Sequence, residues 1–118
     1  ELIFENDYAY AYFDSYPVSQ LHSLVVAKRC IENDFEFDEK EILACNDLIK
    51  KLQKKIMSED KSVEGFNIGT NAGNVAGQSI FHCHIHVIPR RKGDVDNPQG
   101  GVRSVIPSKQ HYTRKIKK

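Results

Sequence analysis

Apolar and polar residues alternate in some stretches of this chain and recur at helical spacing in another, and the two patterns assign its elements. Leu2-Ile3-Phe4-Glu5-Asn6-Asp7 predicts a short strand closed by a turn at Asn6-Asp7. Tyr8-Ala9-Tyr10-Ala11-Tyr12-Phe13 predicts a second strand with its tyrosines on one face, as in ordinary hairpin packing. Asp14-Ser15-Tyr16-Pro17 has loop chemistry. His22-Ser23-Leu24-Val25-Val26-Ala27 predicts a third strand, with His22, Leu24 and Val26 together on one side. Asp38 is a candidate N-cap, with Glu39 and Glu41 suited to a helix start. Ile42, Cys45, Ile49, Leu52 and Ile56 then form one apolar stripe. Residues 58–64 read as a polar connection, and 66–71 as a fourth strand. Residues 72–78 form a glycine-containing turn without the lysine of a P-loop, although its amides could meet a phosphate.

The strongest alternation comes next, at Phe81-His82-Cys83-His84-Ile85-His86-Val87-Ile88-Pro89. Read as a strand, it places His82, His84 and His86 on one face and Cys83, Ile85 and Val87 on the other. A row of imidazoles has three uses. It can be a solvated face, which serves poorly for so regular a row. It can bind metal, but the outer histidines of a regular strand lie ~13 Å apart, too far to share an ion with bonds of ~2 Å. It can be catalytic, with one imidazole attacking while its neighbours orient it and bind charge. Strand, strand, strand, helix, strand, strand, with few helices between, predicts a single α+β domain with a mainly antiparallel five-stranded sheet over residues 1–118.

Composition narrows the picture. With 17 basic and 16 acidic residues the net charge is +1, which does not announce a nucleic-acid binder. Lys50, Lys51, Lys54 and Lys55 are better explained as a solvated helix face than as a phosphate or RNA patch. Cys30, Cys45 and Cys83 lack disulfide or zinc-ribbon spacing, which fits a reducing, cytoplasmic setting. No signal peptide and no membrane span are expected. The end from Thr113 is basic and is expected to fray.

His82-Cys83-His84-Ile85-His86-Val87-Ile88 resembles the signature of the histidine-triad (HIT) family, and the preceding Ala76-Gly77-Gln78-Ser79 agrees. The tail from Asn97 to Pro107 resembles that of microbial members regarded as dinucleoside polyphosphate hydrolases. The resemblance implies a HIT-like fold, a homodimer and a nucleotide substrate. It implies that His84 attacks the α-phosphorus to form a nucleotidyl-histidine, which water releases as a nucleoside monophosphate. His86 would contact the phosphate and leaving group, and His82 and His22 would hold the tautomer of His84. Asn71, Gln78 and Ser79 would bind phosphate oxygens, Asp14 the ribose hydroxyls, and Tyr12 and Leu24 would wall the nucleoside pocket. No cofactor or metal is implied at the triad, though a divalent metal can accompany a polyphosphate. Relatives often carry a short N-terminal extension, sometimes with a zinc-binding Cys-x-x-Cys; Cys30 stands where some have a histidine ligand, which disfavours or alters such a site. Leu21 replaces a glycine usual before His22.

In the tail, Val102, Val105 and Ile106 are expected to anchor the segment, and Gly100-Gly101 to permit its path. Arg103 then either makes a structural salt bridge or sits in water, or it contacts phosphates beyond the scissile one, in its own or a partner subunit's site. The functional alternatives are an adenosine phosphoramidase, a nucleotidyltransferase, a nucleotide-binding regulator with incidental catalysis, and a histidine-bound zinc protein.

Overall fold

The structure, a computed structural model, describes residues 2–113; the expectation of fraying beyond Thr113 lies outside them. Five strands, β1 (Leu2–Glu5), β2 (Ala9–Phe13), β3 (Ser23–Ala27), β4 (Val63–Gly69) and β5 (His84–Arg91), form one sheet in the order β1-β2-β3-β5-β4. All four pairings are antiparallel. The long helix α1 (Glu39–Glu59) covers one face. The α+β expectation of five strands and one main helix is what the chain builds.

The helix starts where its capping chemistry lies. Asp38 accepts from the Glu41 amide at 2.9 Å, and the Glu41 carboxylate accepts from the Asp38 amide at 3.0 Å. Arg29 also donates to Glu41, at 3.0 and 2.7 Å, so this buried carboxylate is satisfied from two sides. The buried stripe is Ala44, Cys45, Leu48, Leu52 and Ile56. It is rotated from the expected one, because Leu48 faces the sheet while Ile42 lies at the flank, 52% exposed. Ala9, Ala11, Val25 and Val87 meet it from the strands. The small alanines let the helix lie close to β2, and each fully buried Leu or Ile contributes ~1.5–3 kcal/mol.

The strand boundaries differ most from the pattern at β4 and β5. β4 begins at Val63 instead of 66, because Val63 is buried while a register shift between Val63 and Gly65 breaks the alternation. β5 begins at His84 instead of 81, because the Cys83 amide is taken by Ile31 O at 2.8 Å, away from the neighbouring strands. It also runs through Pro89 to Arg91. β3 has ended opposite Val87, so the missing Pro89 N–H faces no strand, and Ser19 Oγ donates to the carbonyl on that side at 2.9 Å.

The tail is ordered differently from the expectation. Val102, Val105 and Ile106 are exposed, so they do not anchor it. Polar contacts hold it: Gln99 Nε2 donates to Tyr112 O at 2.8 Å and Gln110 Nε2 to Gln99 O at 3.2 Å. A Cβ on Gly100 would stand 2.1 Å from Gln110 O, and its φ of 92° favours glycine.

Candidate functional site

The sheet face away from α1 carries the histidines. In the register of β3 with β5, Val26 lies opposite His84 and Leu24 opposite His86; Tyr12 lies opposite Leu24 on the next strand. The rings of His84 and His86 are 5.2 Å apart, and those of His22 and His86 are 5.1 Å apart. His82 precedes the strand, so the expected row of three is a pair. The His82 ring instead reaches Ala27 O at 2.9 Å, at the end of β3.

Hydrogen-bond partners decide where each imidazole proton sits. His84 Nδ1 lies 3.0 Å from the His82 carbonyl. A carbonyl only accepts, so Nδ1 carries the proton and Nε2 keeps its lone pair. The backbone of His82 therefore sets this tautomer, not the His82 or His22 ring. Thr70 Oγ1 donates to the His84 carbonyl at 2.8 Å, a brace that no sequence pattern had marked.

His22 and His86 follow the same logic from another donor. The Val18 amide donates to His22 Nδ1 at 3.1 Å, which puts the His22 proton on Nε2. His22 Nε2 stands 2.9 Å from His86 Nδ1 and donates to it. The His86 proton is thereby left on Nε2. One neighbouring ring offers a lone pair and the other an N–H: a nucleophile beside a hydrogen-bond donor.

Burial works against charging the His22 and His86 rings. Burial pushes His22 below the usual imidazole pKa, opposed by Asp14. Burial, then the His22 and His84 rings, push His86 the same way, again opposed by Asp14. Asp14 Oδ2 lies 3.5 Å from His22 Nε2 and 4.0 Å from His86 Nδ1, while Oδ1 accepts from the Tyr16 amide at 2.8 Å. Asp14 thus caps its turn and faces the histidines at once. Burial and the same carboxylate raise the pKa of Tyr12.

The turn feeding β3 carries strain. Leu21, where a glycine was expected, has φ 72°, alone among the described non-glycine residues in the left-handed region. The cost is ~1–2 kcal/mol. Its position lets the His22 amide reach Ser19 O at 3.1 Å.

The remaining expected ligands divide. Asn71 lines a cavity of about 840 Å³ that also includes His22 and His86. This cavity opens on the His86 side, between β4, β5 and the tail, with Asn67, Ile88, Arg90, Asp94 and Val102 in its wall. His84, Asp14, Tyr12 and Leu24 are not in that wall. Gln78 is buried and committed: its amide donates to Glu32 O at 2.6 Å and Ile80 O at 3.1 Å, and its oxygen accepts from Gly73 N at 2.8 Å. It therefore shapes the turn and presents no free group to a phosphate, whereas Ser79 next to it is exposed. Arg103 donates to Gln110 O at 3.2 Å and Lys109 O at 2.8 Å, and its guanidinium stacks 4.6 Å from the Tyr112 ring. It is spent within the tail and does not reach this chain's own site.

Metal is the remaining chemical question. Among the described residues, one group of three ligand-type side chains converges, namely Asp14, His22 and His86, and Cys30 is exposed and outside it. His22 has no lone pair for a metal: Nδ1 accepts from Val18 and Nε2 bears the proton.

Comparison with known proteins adds a lineage to this geometry. Residues 1–93 match the HIT domain family. An uncharacterized HIT-like protein of Mycoplasma genitalium is 36% identical over 86 residues, which cover 73% of this chain and 60% of that protein. The crystal structure of a hypothetical histidine triad nucleotide-binding protein from Sulfolobus tokodaii superposes with a TM-score of 0.72 at 38% identity, covering 79% of this chain and 62% of the other. A HIT family hydrolase from Clostridium thermocellum gives a TM-score of 0.62 at 28% identity, covering 81% and 84%. The chain thus spans about 60% of the length of the first two relatives.

Proposed function

The chain belongs to the HIT-domain family, and from that premise we propose that it is a nucleotide hydrolase acting on dinucleoside polyphosphates through a nucleotidyl-histidine. The observation that carries this reading is the pair of opposed tautomers on adjacent rings, an Nε2 lone pair on His84 beside an Nε2–H on His86. Similarity to a nucleotide-binding protein and to a hydrolase supports the class.

A phosphoric anhydride resists attack because its negative oxygens repel nucleophiles, so a neutral nucleophile and nearby donors are what it needs. His84 Nε2 attacks the α-phosphorus as the bond to the leaving group breaks and that group takes the electron pair. His86 Nε2–H hydrogen-bonds the leaving atom or a phosphate oxygen. Water then attacks phosphorus, the P–N bond breaks, its electron pair returns to His84, and the water proton passes to solvent. Asp14 would accept from ribose hydroxyls, with Tyr12 and Leu24 beside the base, and Asn71 and Ser79 would contact phosphate. A homodimer in the cytoplasm belongs to the same proposal. It accords with the free state of all three cysteines. No helix among the described residues is long and apolar enough to cross a membrane.

One observation favours a second reading, a phosphoramidase. Among the described residues Arg90 is the one Lys or Arg in the cavity wall, and it is engaged by Asp94 at 2.8 Å and Asn67 at 2.6 Å, with Asp96 close by. That wall suits a neutral or cationic leaving group better than a chain of phosphates. A panel with purified protein decides: diadenosine tri- and tetraphosphate against adenosine phosphoramidates, following release of the monophosphate. Faster turnover of the phosphoramidate selects the second reading, and no release from either overturns both.

A further inference from the structure

Asp14, His22 and His86 bring three ligand-type atoms within 4.8 Å of one another. Their separations are 2.9 Å between His22 Nε2 and His86 Nδ1, 3.5 Å from His22 Nε2 to Asp14 Oδ2, and 4.0 Å from His86 Nδ1 to the same oxygen. Zinc holding its ligands tetrahedrally at ~2.0–2.1 Å separates them by ~3.3–3.4 Å. The spacing brackets that of a zinc site with one position open. What distinguishes it is the position of a proton.

His22 is 2% exposed and its Nδ1 is occupied by the Val18 amide. Coordination through His22 Nε2 would need the lone pair of that nitrogen. The ring proton would have to move to Nδ1, where it would meet the Val18 N–H head on. We infer that the Val18 main-chain amide is a tautomer lock, which keeps divalent transition metals out of a cluster with metal-site spacing and orders it instead as a proton relay. The amide is presented by the turn that Asp14 caps through Tyr16 N and that closes from His22 N to Ser19 O. The Val18 side chain is 72% exposed, so the backbone donor is what the position contributes. Without the lock, His86 could take the opposite tautomer and turn a lone pair instead of an N–H toward phosphate oxygens. That catalytic consequence rests on the function proposed above; the tautomers and the metal exclusion do not.

The experiment therefore reads tautomers and metal, not turnover. Imidazole nitrogen NMR of the wild-type protein should show His22 and His86 each protonated at Nε2 with an unprotonated Nδ1. Val18→Ala, which retains the amide, should leave both signatures in place. Val18→Pro, which removes it, should mix the His22 tautomers and tighten binding of Zn²⁺ or Co²⁺ at one site by about ten-fold or more. Adding Asp14→Ala to Val18→Pro should remove that gain. Protonation of His22 at Nδ1 in the wild type overturns the proposal, as does metal binding no tighter in Val18→Pro than in Val18→Ala. If Val18→Pro does not fold, the wild-type spectrum decides alone. An inactive substrate panel with the expected tautomers would reject the function and leave the lock standing.

Discussion

Strands β3 and β5 run side by side yet present two faces that obey different rules. Toward α1 they show Val25 and Val87, packed with Leu48, Leu52 and Ile56. Away from it lie Leu24, Val26, His84 and His86. On the helix face stability depends on volume and dryness, so one aliphatic residue can stand in for another of similar size. On the histidine face both nitrogens of His22 and the Nδ1 atoms of His84 and His86 each have an assigned partner, and an isosteric change can reverse a donor and an acceptor. The first face should govern whether the chain folds, and the second what it does.

The sharpest way to break that division is His84→Ala. Turnover should fall about 10⁴-fold or more, as when a nucleophile is removed. Nucleotide binding by calorimetry and the melting temperature should stay near wild type. Near-normal turnover would end the covalent mechanism.

Leu48→Ala tests the opposite face. A fully buried leucine replaced by alanine costs ~2–5 kcal/mol, to be read from urea denaturation. The kcat per folded molecule should be unchanged, and a proportional fall in kcat would mean that the two faces are coupled.

Asp14→Ala should weaken ribonucleotide binding by ~1.5–3 kcal/mol more than it weakens the deoxyribose analogue. Equal losses would assign Asp14 to its turn and relay contacts alone.

The histidine face should also make stability depend on pH. Burial lowers the pKa of His22 and His86, so the unfolded chain binds protons first as pH falls. Stability should be full above about pH 6.5 and decline below it, by at most ~1.4 kcal/mol per pH unit for each histidine. Urea midpoints at neutral and mildly acidic pH measure this, and His22→Asn should flatten the slope. A slope unchanged in that variant would locate the titration elsewhere.

The smallest effect is expected at Arg103. Its contacts lie within the tail, so Arg103→Ala should cost ~0.5–1.5 kcal/mol there. The ratio of kcat/KM for diadenosine tetraphosphate to that for a phosphoramidate should not move. A selective fall on the polyphosphate would instead place this arginine in a partner subunit's site.

Much of the histidine face is written locally. The alternation through His84 and His86 announces a strand with chemistry on one side, and Asp38 with Glu41 announces the helix start. These signals are readable because they depend on neighbours a few residues apart. The exit of His82 from the strand depends on Ile31, and the commitment of Gln78 on Glu32, both far along the chain. Neither has a local signature.

By itself the sequence determined the period of the main elements, the capped helix, the α+β class and that His84 and His86 share a face. Side-chain period and capping are short-range properties of a chain. Only the tertiary structure decided which nitrogen of each histidine bears a proton. That choice is made by the His82 carbonyl for His84, and by the Val18 amide for His22 and, through it, His86. Every residue but proline carries the same amide and every residue the same carbonyl, so no residue type marks the ones that matter. The Val18 amide is aimed by the turn before β3, where Leu21 holds a φ that its own side chain disfavours, and the His82 carbonyl stands beside Cys83, whose amide is tied to Ile31 O.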